Sequence, residues 1–476
     1  MTSERQPLLP QHENAPHLGT LAVMSLIINK MIGTGIFSTP SLIFSLCGSI
    51  GTTLVLWIIG ALVCFCGLSI YIEFGLELPF SGGEKNYLQR VYRNPKGLAE
   101  SVYAFQIVIL GFSSGNAYAF GRYVLFAFGF GENDWIARWV GVMVITAVTY
   151  LHIYQPYHGT TVFTALGIIK ILILALIIIL GFLVAVGAIA IDGDASDNFK
   201  DIWRPYDGFH GNTYNISVAL LQIIYSFKGW ENANYVISEV KNPHHTLQTA
   251  APLSVAVTAF FYLLVILSYY VVIPYSELKD SGVLIAGIFF RKIFGDTFSS
   301  RILPLLISLS NLGNVLAVFF SHARINQELA KEEIIPYSST FSKLKNSLLL
   351  HWVVTVLVLL LPPNGGVYEF VVNLYAYPGT WINVLVAAGL LYLHRHSASE
   401  KWGLEKGENS WHTHWTACVV FLAANLFLAL FPFVPPPPGT HDETLPYYIF
   451  PATGCAVLGA GVIYWYSRWK RASITS

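Results

Sequence analysis

Apolar residues fill most of this chain in blocks of about twenty, the length a helix needs to cross a bilayer. Polar and charged residues gather in short stretches between the blocks. The blocks centre near residues 33, 64, 113, 145, 176, 226, 262, 313, 355, 381, 422 and 457, and predict twelve transmembrane helices. The ninth, Leu348 to Leu361, is the shortest. No polar loop is long enough for a separate soluble domain. The pattern therefore predicts one all-α membrane domain at 18–468, between tails at 1–17 and 469–476.

Two blocks are interrupted. "MIGTGIFSTP" at 31–40 sets two glycines and a proline in the first span, and "IIYSFKGWENANYV" at 223–236 sets Lys228, Gly229 and Glu231 near the middle of the sixth. Glycine weakens a helix interior by about 1 kcal/mol relative to alanine. Opened backbone in hydrocarbon is tolerable only beside a polar cavity. Glycine alone is also a packing residue between membrane helices, but two breaks five spans apart predict inverted repeats with a binding site between them. The repeats are 18–190 and 213–395, with helices 11 and 12 at 411–468.

A broken helix offers two kinds of group. The N–H groups of Thr34, Gly35 and Ile36 start a half-helix whose positive end suits a carboxylate. Freed carbonyls at Met31 and around Tyr225, Ser226 and Phe227 suit an ammonium. Together they describe the backbone of an amino acid.

Composition agrees with the pattern. The chain of 476 residues is 54% hydrophobic and 11% charged, with mean hydropathy +0.56. Soluble domains carry about a quarter charged residues. Lys+Arg and Asp+Glu are equal at 27 each, which excludes the basic signature of a nucleic-acid binder. Most Lys and Arg fall in the even loops and tails, so the positive-inside rule places both termini in the cytoplasm. The polar, proline-containing first twenty residues lack an early apolar region, as expected without a cleavable signal. "ERQPLL" in that tail has the spacing of a dileucine sorting signal, and reads equally as a disordered tail. Cys47, Cys64, Cys66, Cys418 and Cys455 lie in apolar runs, as small core residues do.

Ionisable residues within spans are functional candidates, because a charge at the bilayer centre costs roughly 2.5–3.5 kcal/mol. Lys170 stands alone in "TALGIIKILILALIIILG" and reads as a cation bracing the first break, a proton carrier, or a snorkelling side chain. Lys228 and Glu231 are close enough to pair, for substrate, proton or structure. Glu73 points to structure or gating, and Lys30 to the inner mouth of span one. His152, His158, His244 and His245 fall near span ends, where solvation is expected. Tyr225, Phe227, Trp230, Tyr375, Tyr377 and Trp381 are candidates to line or cover a pocket, or to pack. Ser113, Asn116, Asn311, Asn314 and Thr380 are polar within spans, for substrate or for helix–helix bonds.

From residue 18 to about 395 the chain resembles the amino acid–polyamine–organocation superfamily, specifically the L-type amino acid transporters. The resemblance rests on "NKMIGTGIFSTPS", "YIEFGLELPFSGGEKNYL" and "YSFKGWENANYVISEVKNPHHTLQTA"; "EVKNP" with the following "TL" is similar to fungal methionine permeases within that group. The resemblance implies a LeuT-like fold of twelve helices, the first ten in a 5+5 inverted repeat with helices 1 and 6 discontinuous. It implies carboxylate binding at Gly33, Thr34 and Gly35, an aromatic gate at Tyr225, and Lys170 in place of a sodium site.

The expected function is sodium-independent secondary transport of L-amino acids, methionine or another large neutral one. Protons are the expected coupling ion, and exchange or amino acid sensing are the alternatives. The expected substrate site comprises Met31, Gly33, Thr34, Gly35, Ile36, Tyr225, Ser226, Phe227, Lys228, Gly229, Asn116 and Thr380, with Lys170, Glu231, Tyr225 and Trp230 coupling or gating. No cofactor is expected. Animal relatives join a heavy chain through a cysteine between helices three and four; "GFGENDWIARWVG" has none, so no heavy chain is expected. The plasma membrane is the expected location, with the vacuolar or endosomal membrane as the alternative. No charged ring or filter repeat points to a channel, and no HExxH or GxSxG points to an enzyme.

Overall fold

The computed structural model describes residues 17–130, 133–191, 196–209, 211–279, 285–299, 301–362, 374, 377–403, 410–435 and 446–475. Tyr375, the dileucine pair and most of the proline run at 434–440 lie outside the described residues. The described chain is helical, and its one bridge between extended segments joins Leu18 to Val240.

The first span is α1 (Thr20–Met31) and α2 (Thr34–Cys47), separated at Ile32 and Gly33. Then come α3 (Ile50–Glu77), the short α4 (Glu84–Val91), α5 (Leu98–Leu110), α6 (Ser114–Ala127), α7 (Asp134–Tyr154) and α8 (Pro156–Ala185). The sixth apolar block is α9 (Thr213–Phe227), a break at Lys228 and Gly229, and a 3₁₀ segment at Trp230–Glu239. The chain continues as α10 (Pro243–Val272), α11 (Ile285–Ser299), α12 (Ile302–Lys331), α13 (Leu344–Leu360), α14 (Tyr377–Arg395), α15 (Trp415–Leu430) and α16 (Ile449–Thr475). Among the described residues, nine helical stretches are long and apolar enough to cross a membrane, and α13 is a shorter apolar helix.

Local chemistry sets the ends. Ser49, Asn133 and Asn212 cap α3, α7 and α9 by accepting from the backbone N–H three residues on. Proline opens α8 and α10, where its missing N–H has no helical partner to lose. The sequence missed one interruption: the third block breaks at Gly111 between α5 and α6. The Gly111 carbonyl there accepts from Nδ1 of His322 at 2.9 Å.

α1 packs against α8, α10 and α12, and its second half is buried from Leu26 to Met31. α12 is buried along its middle from Gly313 to Gln327. The outward faces of α8 and α10 present Leu172, Ile179, Phe182 and Phe260 in the open, apolar surface that hydrocarbon would cover. At one end His17 and Leu18 donate their N–H groups to the Glu239 carbonyl, and Arg324 grips the Glu239 carboxylate at 2.5 and 2.9 Å. His152, expected to be solvated, is buried against Phe319 and Phe320.

Candidate substrate site at two crossing helix breaks

The two breaks meet. Gly229 lies with φ +144°, and a side-chain carbon added there would stand 2.7 Å from the Met31 nitrogen. Gly35 faces Ser226 as closely, its added carbon falling 3.1 Å from the Ser226 Cα. Both sites need glycine for close approach of backbones, and Gly229 also for its positive φ.

The freed carbonyls of α1 are met one by one by side chains from other helices. Asn314 donates to Lys30 O at 2.8 Å and the Tyr262 hydroxyl to Met31 O at 2.8 Å. Lys170 donates to Asn29 O at 2.7 Å and, more closely, to Ile32 O, which Ser310 also reaches at 3.3 Å. Lys170 is thus a buried brace behind the break, the first of its sequence readings; it neither snorkels nor lines the cavity. The Met31 carbonyl, expected to be free for an ammonium, already carries a hydroxyl donor.

A cavity of about 70 Å³, room for several water-sized groups, opens at the break. Its walls include Met31, Gly33, Thr34, Gly35, Asn116, Tyr225, Ser226 and Lys228, all anticipated, with Lys30, Ser113 and Asn314 in addition. Asn116 donates to Asn314 at 2.9 Å, and its own carbonyl oxygen is buried with no hydrogen-bond partner among the described residues. It is an unused acceptor beside Gly33, suited to an ammonium. Ile36, Phe227 and Gly229 are not in the wall: Phe227 packs edge-on to Trp57, and Gly229 seals the crossing.

A second cavity, about 60 Å³, shares Tyr225 and Lys228 with the first. Trp230, Glu231, Thr380, Gln106, Asn383 and Glu84 are among its walls. Tyr225 and Lys228 thus border both spaces.

The ionic arrangement brings Lys30 to Glu231 as well as the Lys228 charge that the sequence placed near it. Glu231 lies 3.2 Å from Lys30, both buried, and accepts from the Gly229 amide at 3.0 Å. Lys30 is therefore inside the protein and not at its mouth. Its ammonium also meets His322 Nε2 at 3.3 Å. Nδ1 donates to the Gly111 carbonyl, and Nε2 faces an ammonium, which has donors only, so the contact needs Nε2 as acceptor. One chain of contacts thus links the breaks at 31–33, 228–229 and 111.

Sequence reasoning also missed Glu84. Its carboxylate receives the hydroxyls of Tyr71 and Tyr235 at 3.0 Å and of Tyr103 at 3.1 Å. Burial, with the Glu231 charge second, pushes its carboxyl above the usual value. A raised folded pKa means the native state holds the proton more tightly, so stability falls as pH rises through the window between the ordinary and raised values. Glu84→Gln is isosteric and loses that term. Its melting temperature in detergent should gain on the parent's as pH rises through that window; a constant difference would refute the assignment.

A helical membrane protein with paired interruptions closing on small polar cavities is a multi-pass permease in form. The profile of the amino acid permease family matches residues 18–457, and the chain belongs to that family. The high-affinity methionine permease of Saccharomyces cerevisiae is 36% identical over 459 residues, 94% of this chain and 78% of that protein. The low-affinity methionine permease of the same yeast is 30% identical over 402 residues, 81% and 72% of the two chains. The large neutral amino acids transporter small subunit 2 of Mus musculus is 26% identical over 322 residues, 67% of this chain and 59% of that protein. The chain is accordingly an integral, multi-pass membrane protein.

Proposed function

We propose that this permease carries methionine or another large neutral L-amino acid by alternating access, driven by protons and independent of sodium. The reading takes the fold as LeuT-like, with twelve spanning helices and both termini in the cytoplasm. The observation that carries it is the first break: backbone N–H groups of Thr34, Gly35 and Ile36 opening α2 beside a cavity that also holds the unpaired Asn116 oxygen. The substrate carboxylate docks on the N–H groups and the ammonium on Asn116. The side chain extends past Tyr225 into the second cavity, toward Thr380 and Gln106.

Lys170 supports the sodium-free part of the reading. Its ammonium occupies the place between α8 and the break where a cation would find the Asn29 and Ile32 carbonyls. Coupling by protons rests on the buried Glu231–Lys30–His322 chain, which touches both breaks.

The test is radiolabelled methionine uptake into proteoliposomes in sodium-free buffer, with and without an inward proton gradient. Saturable uptake that rises with the gradient is the expected result. Uptake only against internal amino acid would replace symport by exchange, and binding without uptake would favour a sensor. Lys170→Met keeps the volume but takes the side-chain donor from the Asn29 carbonyl and leaves the Ile32 carbonyl only Ser310, and a buried carbonyl left unpaired costs about 1–3 kcal/mol. Its uptake should fall at least about tenfold while the protein stays monodisperse; unchanged uptake would remove Lys170 from the mechanism.

A further inference from the structure

Away from both cavities, three potential metal ligands converge where α3 and α14 end. Glu73, near the end of α3, is buried, and the Nε2 of His394 on α14 lies 2.6 Å from its Oε1. The Nδ1 of His412, in the stretch leading into α15, lies 3.8 Å from the same oxygen. All three ligand atoms fall within 4.8 Å of one another. We propose that Glu73, His394 and His412 form a binding site for a divalent transition-metal ion of the zinc type.

Four features favour a metal site over an ordinary ion pair. The two imidazoles face each other, with ring centroids 4.5 Å apart and planes 37° apart. So placed, each ring brings a nitrogen to the same Glu73 oxygen, and imidazole nitrogen is a common metal ligand. The carboxylate is aimed by other groups: the Trp402 indole N–H donates to Oε1 at 2.9 Å and the Thr413 amide to Oε2 at 2.7 Å. Thr413 is itself held by Ser69 O at 2.8 Å, so the loop bearing His412 is tied to α3. Metal-binding carboxylates are oriented by such outer hydrogen bonds.

The third feature is access. His412 is 73% exposed while Glu73 is 2% exposed, so one wall of the cluster is open and leaves a fourth position to water. The fourth is donor chemistry. Two nitrogens and one carboxylate oxygen suit zinc and its first-row neighbours, whereas calcium and magnesium want oxygen alone. Bond lengths of about 2.0–2.2 Å to each ligand require the His394–Glu73 contact to open slightly and His412 to move inward. The exposed ring can do so without disturbing the core. A bound ion would tie α3, α14 and the approach to α15 at a single point.

The experiment titrates the full-length protein, purified in detergent with any affinity tag removed, with zinc chloride by calorimetry and with cobalt(II) by visible absorption. The expected results are one site per chain and the intense band of tetrahedral cobalt. His412→Ala and His394→Gln should each weaken binding by at least about tenfold. His396→Ala, outside the cluster, should leave it unchanged. His412 makes no core contact to lose, so His412→Ala keeps the test valid if His394→Gln fails to fold. No saturable binding, or equal affinity in the parent and His412→Ala, would overturn the proposal.

Discussion

Glu231→Ala should produce the largest loss of stability of any single change at the site. The carboxylate is buried 3.2 Å from Lys30, and its removal leaves an ammonium in the interior beside neutral groups, His322 and the Tyr235 ring. Removing one partner of a buried ion pair costs about 3–5 kcal/mol, chiefly through the charge left behind. The Gly229 amide would lose its acceptor as well. The decisive comparison is with Lys30→Met/Glu231→Leu, which removes both charges and keeps the volume. Thermal unfolding in detergent should show the double variant more stable than Glu231→Ala, because the Lys30 ammonium is removed together with its carboxylate. Methionine uptake should be lost in both if the pair also carries the proton, and should return in the double variant if it only holds the breaks together. Equal melting of the single variant and the parent would mean that Lys30 finds another anion or loses its proton freely.

Gly229→Ala should abolish uptake while leaving most of the helical bundle intact. At φ +144° an alanine is strained by about 1–3 kcal/mol, and its methyl would stand 2.7 Å from the Met31 nitrogen and 2.9 Å from the Lys30 carbonyl carbon. Backbone atoms cannot rotate aside as a side chain can, so the two breaks must separate. The cavity at Gly33–Gly35 would change shape with them. Circular dichroism near that of the parent, with uptake below a tenth (about 1.4 kcal/mol in the rate-limiting step), is the expected pair of results. Normal uptake would show that the crossing is looser than described.

The long apolar blocks were legible because hydrocarbon imposes a length and a composition on each span. The two breaks at Gly33–Gly35 and Lys228–Gly229 were legible because glycine and charge are rare in such blocks. Lys170 stood out for the same reason, as a solitary ammonium that needs acceptors; the sequence left bracing, proton carriage and snorkelling open, and the hydrogen bonds to Asn29 O and Ile32 O are those of a brace. What stayed hidden were pairings across the sequence. Lys228 stands near Glu231 in the sequence and in charge, but the contact of Glu231 with Lys30, two hundred positions away, exists because the breaks cross there. The Gly111 interruption has one glycine and no charge, and its partner His322 sits on α12, so no local pattern announces it. Glu84 follows a glycine pair in a short loop and reads as solvated, although three tyrosines from separate elements enclose it.

The donors that satisfy the end of α1 belong to α8, α10 and α12: Lys170, Tyr262, Ser310 and Asn314. The support for this end of α1 therefore comes from the surrounding frame and not from α1 itself. All four side chains grip consecutive carbonyls from Lys30 to Ile32, so under the alternating access proposed above a tilt of α1 would strain these bonds together, as a latch held at several points is strained.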